Sequence, residues 1–212
     1  MPREVKKLPL KGGPGPRERL LAAAIDHVAS HGLGELSLRE LAGAIGTSHR
    51  MLIYHFGSKE GLLVAIVQAV EAAQRDFLAE VAADLSVTPA RAARALWRRV
   101  ADPSLQASVR LFFELYGQAL QGRPGTTGFL DGVVDSWVEP LTQYGVQRGL
   151  SPSAARADAR LGVAVVRGLL LDLAATGQRE AVDEAFERFV SFYEGDDWEE
   201  SKAHARSLER PT

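Results

Sequence analysis

The 212-residue chain contains no cysteine. Disulfides, thiolate metal sites, iron–sulfur clusters and cysteine nucleophiles are excluded together, and the absence fits a reducing compartment. Long hydrophobic runs are missing as well. The longest, Leu161 to Ala175, is interrupted by Arg167 and Asp172, which leaves it too short and too charged to span a bilayer. The start, Met1-Pro2-Arg3-Glu4-Val5-Lys6-Lys7, is basic but is not followed by the apolar stretch of a secretory signal. A cytoplasmic protein with no membrane partner is the expectation. Enzymatic signatures are also lacking. There is no Gly-x-Ser-x-Gly elbow, and Gly12-Gly13-Pro14-Gly15 follows no strand, so it is no phosphate loop. Glu-x-x-His, the pair of a di-iron bundle, is absent. His27 and His31 have metal-gripping spacing, but no third ligand follows, and a solvated helix face accounts for them. No enzyme, cofactor or metal is therefore expected.

What is present is an ordinary globular composition, 46% hydrophobic and 25% charged. Ala, Leu, Arg and Glu abound and no long run alternates with period two, so the chain reads as all-α. The net charge of −2 argues against a nucleic-acid partner only until the chain is divided. Residues 1–60 carry +3 and residues 61–212 carry −5. A basic end with its own task is implied.

Punctuation predicts about nine helices. Residues 1–15 read as a flexible basic arm. Pro16 is suited to open a first helix, with Gly32 as its stop. Ser37 and Glu40 form a capping box for a short helix to about Ile45. Gly46-Thr47-Ser48 makes a turn into a third helix from about His49 to His55, and Ser58 caps a long helix from Lys59 to about Asp84. Five further segments follow, at about 88–101, 103–121, 128–148, 153–176 and 179–194, and the tail from residue 196 is polar.

Two short helices joined by a tight glycine turn make a helix-turn-helix candidate. Leu38, Leu41, Ile45, Leu52 and Phe56 can form a small core beneath it, Ala42 permits close crossing, and Gly46 supplies a permissive backbone. The second helix then presents His49, Arg50, Met51 and Tyr54 outward, a polar, basic and aromatic face suited to the major groove.

Residues 17–66 resemble the DNA-binding domain of the TetR family of transcriptional regulators. The matching pieces are the helix ending at Gly32, Leu36-Ser37-Leu38-Arg39-Glu40-Leu41-Ala42, Gly46-Thr47-Ser48, Leu52-Ile53-Tyr54-His55-Phe56 and Ser58-Lys59-Glu60-Gly61-Leu62-Leu63. The resemblance implies a three-helix DNA-binding domain over 16–60, a helical ligand-binding and dimerisation domain over 61–195, and a tail over 196–212. It also implies roles. Ser37 and Ser48 hold phosphates at helix N-termini. Arg39 reaches a base edge, and its fork fits guanine O6 and N7. His49, Arg50 and Met51 read bases, with Met51 against a thymine methyl. Tyr54, His55 and Lys59 contact the backbone, and Arg17 and the arm add phosphate contacts. One departure stands out: many members carry tyrosine where this chain has Ile53, which has no hydroxyl for a phosphate. Tyr54 is adjacent but turned about 100° around the helix, and whether it compensates is open.

For the remainder the resemblance implies a homodimer, a small-molecule effector, a double-stranded DNA operator of pseudo-palindromic form, and repression as the commoner mode. The dimer interface is carried over to 153–176 and 179–194, where Val182, Phe186, Phe189, Val190 and Tyr193 share one stripe. Trp97, Phe112, Phe113, Tyr116, Trp137 and Tyr144, with Arg110 and Arg167 as polar handles, are candidates to line a ligand pocket. Ordinary aromatic core, with Arg110 and Glu114 as a surface pair, is the alternative for these. Two rival functions remain at this level. A non-specific DNA-binding protein would bind all sequences alike with a steep salt slope. A helical small-molecule-binding protein would select no DNA at all.

Overall fold

Proline and hydroxyl caps set the helix starts, and the sequence places them well. The computed structural model describes residues 15–31, 37–84 and 86–194. The expected stop at Gly32, Leu36 of the matched motif, the polar tail and, apart from Gly15, the basic arm lie outside the described residues. Helix α1 (Pro16–His31) opens on proline and buries Ala24 and Val28. Helix α2 (Leu38–Ala44) starts at the expected capping box: Ser37 Oγ accepts from the Glu40 amide at 3.3 Å, and the Ser37 amide donates to Glu40 Oε2 at 2.8 Å. Helix α3 (His49–Phe56) is capped by Ser48, which accepts from the Met51 amide at 3.2 Å. Between α2 and α3 the chain turns at Gly46 with φ of 70°, a left-handed conformation that costs a glycine little.

Helix α4 (Lys59–Ala83) has 25 residues and so runs about 37 Å. Then come α5 (Pro89–Val100), α6 (Gln106–Leu120), α7 (Asp135–Gln147), α8 (Pro152–Thr176) and α9 (Arg179–Val190). Among the described residues there are nine α-helices, three short 3-10 turns and no strand. Two expected helices are shorter than the punctuation suggests. Residues Pro103–Leu105 form a 3-10 turn before α6, because the Asp102 carboxylate caps the Ser104 amide at 2.8 Å. The segment expected as one helix from 128 begins with a 3-10 turn at Thr127–Phe129, and α7 starts only at Asp135.

The core divides into two clusters, and α4 contributes to both. The first joins Val28, Leu38, Leu41, Leu52, Phe56, Leu62 and Ile66 to Leu111, Phe112, Leu115 and Phe129. The head of α1 to α3 thus shares a core with α6 and the 3-10 turn after it, reached through α1 and α4. The second joins Leu78 of α4 to Leu96, Trp97, Val138, Val163, Leu173, Val182, Phe186 and Val190. Trp97 stacks on Phe186 with centroids 4.7 Å apart, and its Nε1 donates to Asp183 at 2.7 Å. The indole's polar atom is therefore satisfied inside the core.

Candidate DNA-reading surface and ligand cavity

The amphipathic register of α3 decides what faces outward. Leu52 and Phe56 are buried beneath it, with Leu38, Leu41 and Ala42 from α2. His49, Arg50, Met51 and Tyr54 are exposed, Tyr54 most of all at 77%. A tyrosine that exposed gains nothing from the fold, so its ring is available to a partner. Arg39 is exposed on α2, and Lys59 is exposed at the first position of α4. Ser37 and Ser48 use oxygen lone pairs in their caps, which leaves each hydroxyl proton free to donate to an anion. Arg17 sits with its guanidinium 5.0 Å from the Phe56 ring, which orients it toward the end of α3. His55 is half-buried, edge-on to Tyr54 at 5.0 Å, and its Nε2 is buried without a hydrogen-bond partner among the described residues. The structure thus brings the sequence-derived DNA-contact residues to one end of the molecule, with His55 the least accessible of them.

The joint between α3 and α4 is closely fitted. Ser58 Oγ accepts from the Gly61 amide at 3.0 Å, and a Cβ at Gly61 would overlap the Phe56 carbonyl oxygen. Gly61→Ala is therefore expected to lower stability by about 1–3 kcal/mol, as overpacking does. A urea midpoint shifted down at unchanged slope is the measurement; an unshifted midpoint shows that the joint gives way freely.

A cavity of about 660 Å³ opens among α4 to α9, within the range of small-molecule sites. Its walls are mostly aliphatic and aromatic. Of the residues expected there, Phe112, Phe113, Trp137, Tyr144 and Arg167 line it. Three others lie elsewhere. Trp97 is buried against Phe186, Arg110 is exposed, and Tyr116 packs on Phe112 and Phe129 in the cluster beneath the helix-turn-helix. Polar groups converge at one side: Glu71 Oε2 accepts from Trp137 Nε1 at 2.7 Å and lies 3.7 Å from Arg167 Nη2. The same Nη2 donates to the Val133 carbonyl at 2.6 Å, and the guanidinium stands 5.0 Å from the Phe112 ring. Burial pushes Arg167 below the usual arginine value, and the Glu71 charge opposes that. Gln74 accepts from Arg99 Nε at 2.6 Å. Glu71 and Gln74 were not singled out from sequence. Their signal was there: with Val67, Val70 and Leu78 they fall on one face of α4, where polar residues interrupt an apolar stripe.

The stripe expected at the dimer seam faces inward instead. Val182, Phe186 and Val190 are 0–2% exposed within the single chain, and Phe189 and Tyr193 line the cavity. Periodicity identifies a buried face but not whose surface covers it, and here α8 and α5, the latter through Trp97, cover it. The outward face of α8 carries another stripe: Ala157, Leu161, Ala164, Gly168, Leu171 and Ala175, all exposed and alternating four and three residues apart. On and after α9, Ala181, Ala185 and Phe192 are exposed beside it.

Among the described residues no helix is long and apolar enough to cross a membrane, and no group of three or more His, Asp or Glu could hold a metal ion. Residues 20–66 match the profile of the bacterial regulatory proteins of the tetR family. A 44-residue stretch is 50% identical to an HTH-type transcriptional regulatory protein, RaaS, of Mycobacterium tuberculosis; that stretch spans 21% of this chain and 20% of that protein. The fold extends further than this sequence match. A TetR transcriptional regulator from Legionella pneumophila superposes with a TM-score of 0.65 at 19% identity, covering 85% of this chain and 98% of that one. A transcriptional regulator from Rhodococcus sp. Rha1 gives 0.66 at 23% identity, covering 84% and 96%. A capped helix-turn-helix at one end, a tetR-family sequence match over residues 20–66 and a fold shared with TetR-type regulators of known structure make the N-terminal part of this chain a tetR-type helix-turn-helix domain.

Proposed function

We propose that the chain is a homodimeric repressor that binds a pseudo-palindromic operator and is released by a small molecule bound in the cavity. The observation that carries this reading is the reach of α4. Its first turns, with Leu62 and Ile66, belong to the core under the helix-turn-helix. Its later turns, from Val67 through Glu71, Gln74 and Leu78, line the cavity. One continuous helix thus touches both sites. Phe112 of α6 does the same, lining the cavity while packing on Phe129 at 5.6 Å.

In this reading two copies pair through the outward faces of α8 and α9. The alternating spacing on α8 is that of a helix–helix seam, and Ala164 and Gly168 at its centre allow close approach. Pairing sets two α3 helices about one DNA turn apart, roughly 34–36 Å. A ligand that fits the cavity better when α4 has swung shifts the population away from that spacing, by no more than its preference between the two states.

Arg50 lies at the start of α3, where base readout concentrates. Arg50→Ala is expected to cost about 1–3 kcal/mol on a genomic fragment selected by the protein, and much less on a scrambled duplex of equal length. Fluorescence anisotropy at fixed salt measures both. Equal losses on the two duplexes would mean that Arg50 touches only phosphate; unchanged affinity on both would remove it from the interface.

A further inference from the structure

Opposite the Glu71–Arg167 side, the cavity holds a second polar station that the DNA-release reading does not use. Asp158 of α8 lines the cavity with Tyr144 of α7, Phe189 of α9 and Tyr193 in the 3-10 turn that follows α9. No cation balances it: among the described residues Asp158 makes no hydrogen bond or ion pair, whereas Arg156 and Arg160 beside it are turned to Asp135 and Glu139 on the outer surface. Among the described residues the buried Tyr144 hydroxyl has no hydrogen-bond partner, and its ring is covered by the Arg148 guanidinium at 3.6 Å. Phe189 and Tyr193 stand edge to face at 5.3 Å. Burial raises the Asp158 carboxyl above the ordinary aspartate range, and burial, reinforced by the Asp158 charge, pushes Tyr193 up to about 12. Both shifts are what an uncompensated negative charge beside aromatic rings produces.

A carboxylate flanked by the Phe189–Tyr193 pair, at the end of an apolar chamber, is an arrangement that receives an alkylated ammonium: the carboxylate supplies charge and the rings supply cation–π attraction. At the opposite end Arg167 is already engaged by Glu71 and the Val133 carbonyl, with Arg75 beside them. Asp158 and Arg167 are nine residues apart on α8, roughly 14 Å along its axis. The length between them is lined by Ala159, Gly162, Val163 and Val166.

We infer that the cavity's ligand is a lipophilic amine, its cationic nitrogen held by Asp158 beside Phe189 and Tyr193 and its apolar body extended along α8 toward Phe112. The inference rests on the cavity being the effector site. It is tested with probes that share a body and differ in charge: decylamine, 1-decanol and decanoate, titrated calorimetrically into the full chain at neutral pH below micelle formation. Decylamine is expected to bind at least about tenfold more tightly than decanol, the worth of one charge-assisted contact, with decanoate weakest. Asp158→Asn, nearly isosteric, is expected to erase the preference for the amine while leaving decanol binding unchanged. Decylamine should also weaken binding of the wild-type chain to a selected DNA fragment.

Equal binding of the three probes, or tightest binding of decanoate, overturns the amine assignment and leaves the cavity as an apolar effector site. Amine preference that survives Asp158→Asn overturns the assignment to Asp158. Absence of binding by all three, or tight amine binding with no change in DNA affinity, counts against the cavity reading itself.

Discussion

Replacing Leu161 and Leu171 together with aspartate is expected to convert a dimer into folded monomers and to reduce operator affinity by two orders of magnitude or more. The two side chains are 54% and 49% exposed in the single chain, so the monomer has little to lose from the change; exposed substitutions of this kind cost about 0.5 kcal/mol or less. In a two-fold seam each residue is buried twice, once per copy. Four leucines then leave the interface, each worth roughly 1.5–3 kcal/mol if fully covered, and four carboxylates would have to be buried unpaired in their place. Operator binding falls when dimerisation is lost, because one monomer engages only one half-site. Light scattering coupled to gel filtration reads the oligomeric state, and circular dichroism checks that the helices persist. A double variant that stays dimeric would move the interface to another face and leave the α8 stripe without a role.

Phe186→Ala is expected to cost about 3–5 kcal/mol of stability, the usual range for removing a buried phenylalanine, and to leave oligomeric state unaltered wherever the chain is still folded. Phe186 is 1% exposed and lies flat on Trp97, with 12° between the rings. Its removal joins the new void to the existing cavity and takes away the surface that holds the indole in reach of Asp183. A dimer-interface residue would behave in the opposite way, with oligomer loss at small stability cost. Urea unfolding at two protein concentrations separates them. A midpoint shift under about 1 kcal/mol would show that the Trp97 stack contributes little.

These two variants also mark where sequence reading stops. Helix starts were legible because caps are local: Ser37, Ser48, Ser58 and Pro16 act within one turn of themselves. The reading head was legible because Leu38, Leu41, Leu52 and Phe56 repeat at helical spacing around one glycine turn, and burial follows from that spacing. The seam was not. Val182, Phe186 and Val190 form as clear a stripe as a dimer helix has, but they are covered within the chain, by α8 and by α5 some ninety residues earlier. The outward stripe on α8 lies inside the segment 153–176 expected at the interface, but its residues were not named because small ones dominate it: Ala157, Ala164, Gly168 and Ala175 carry little hydrophobic signal individually. The cavity was half legible. Its aromatics could be named, but Trp97 and Tyr116 could not be told from the liners by type. Asp158, set between two arginines in sequence, read as surface because nothing local shows that Tyr193 lies against it.

The most direct test of the whole is selection of genomic DNA fragments by the full chain, followed by sequencing of what is bound. A dimeric operator reader enriches a pseudo-palindromic site whose half-sites are about one helical turn apart, retained as salt is raised while bulk DNA is lost. Enrichment that follows no common sequence, or a failure to retain any fragment at low salt, would contradict it.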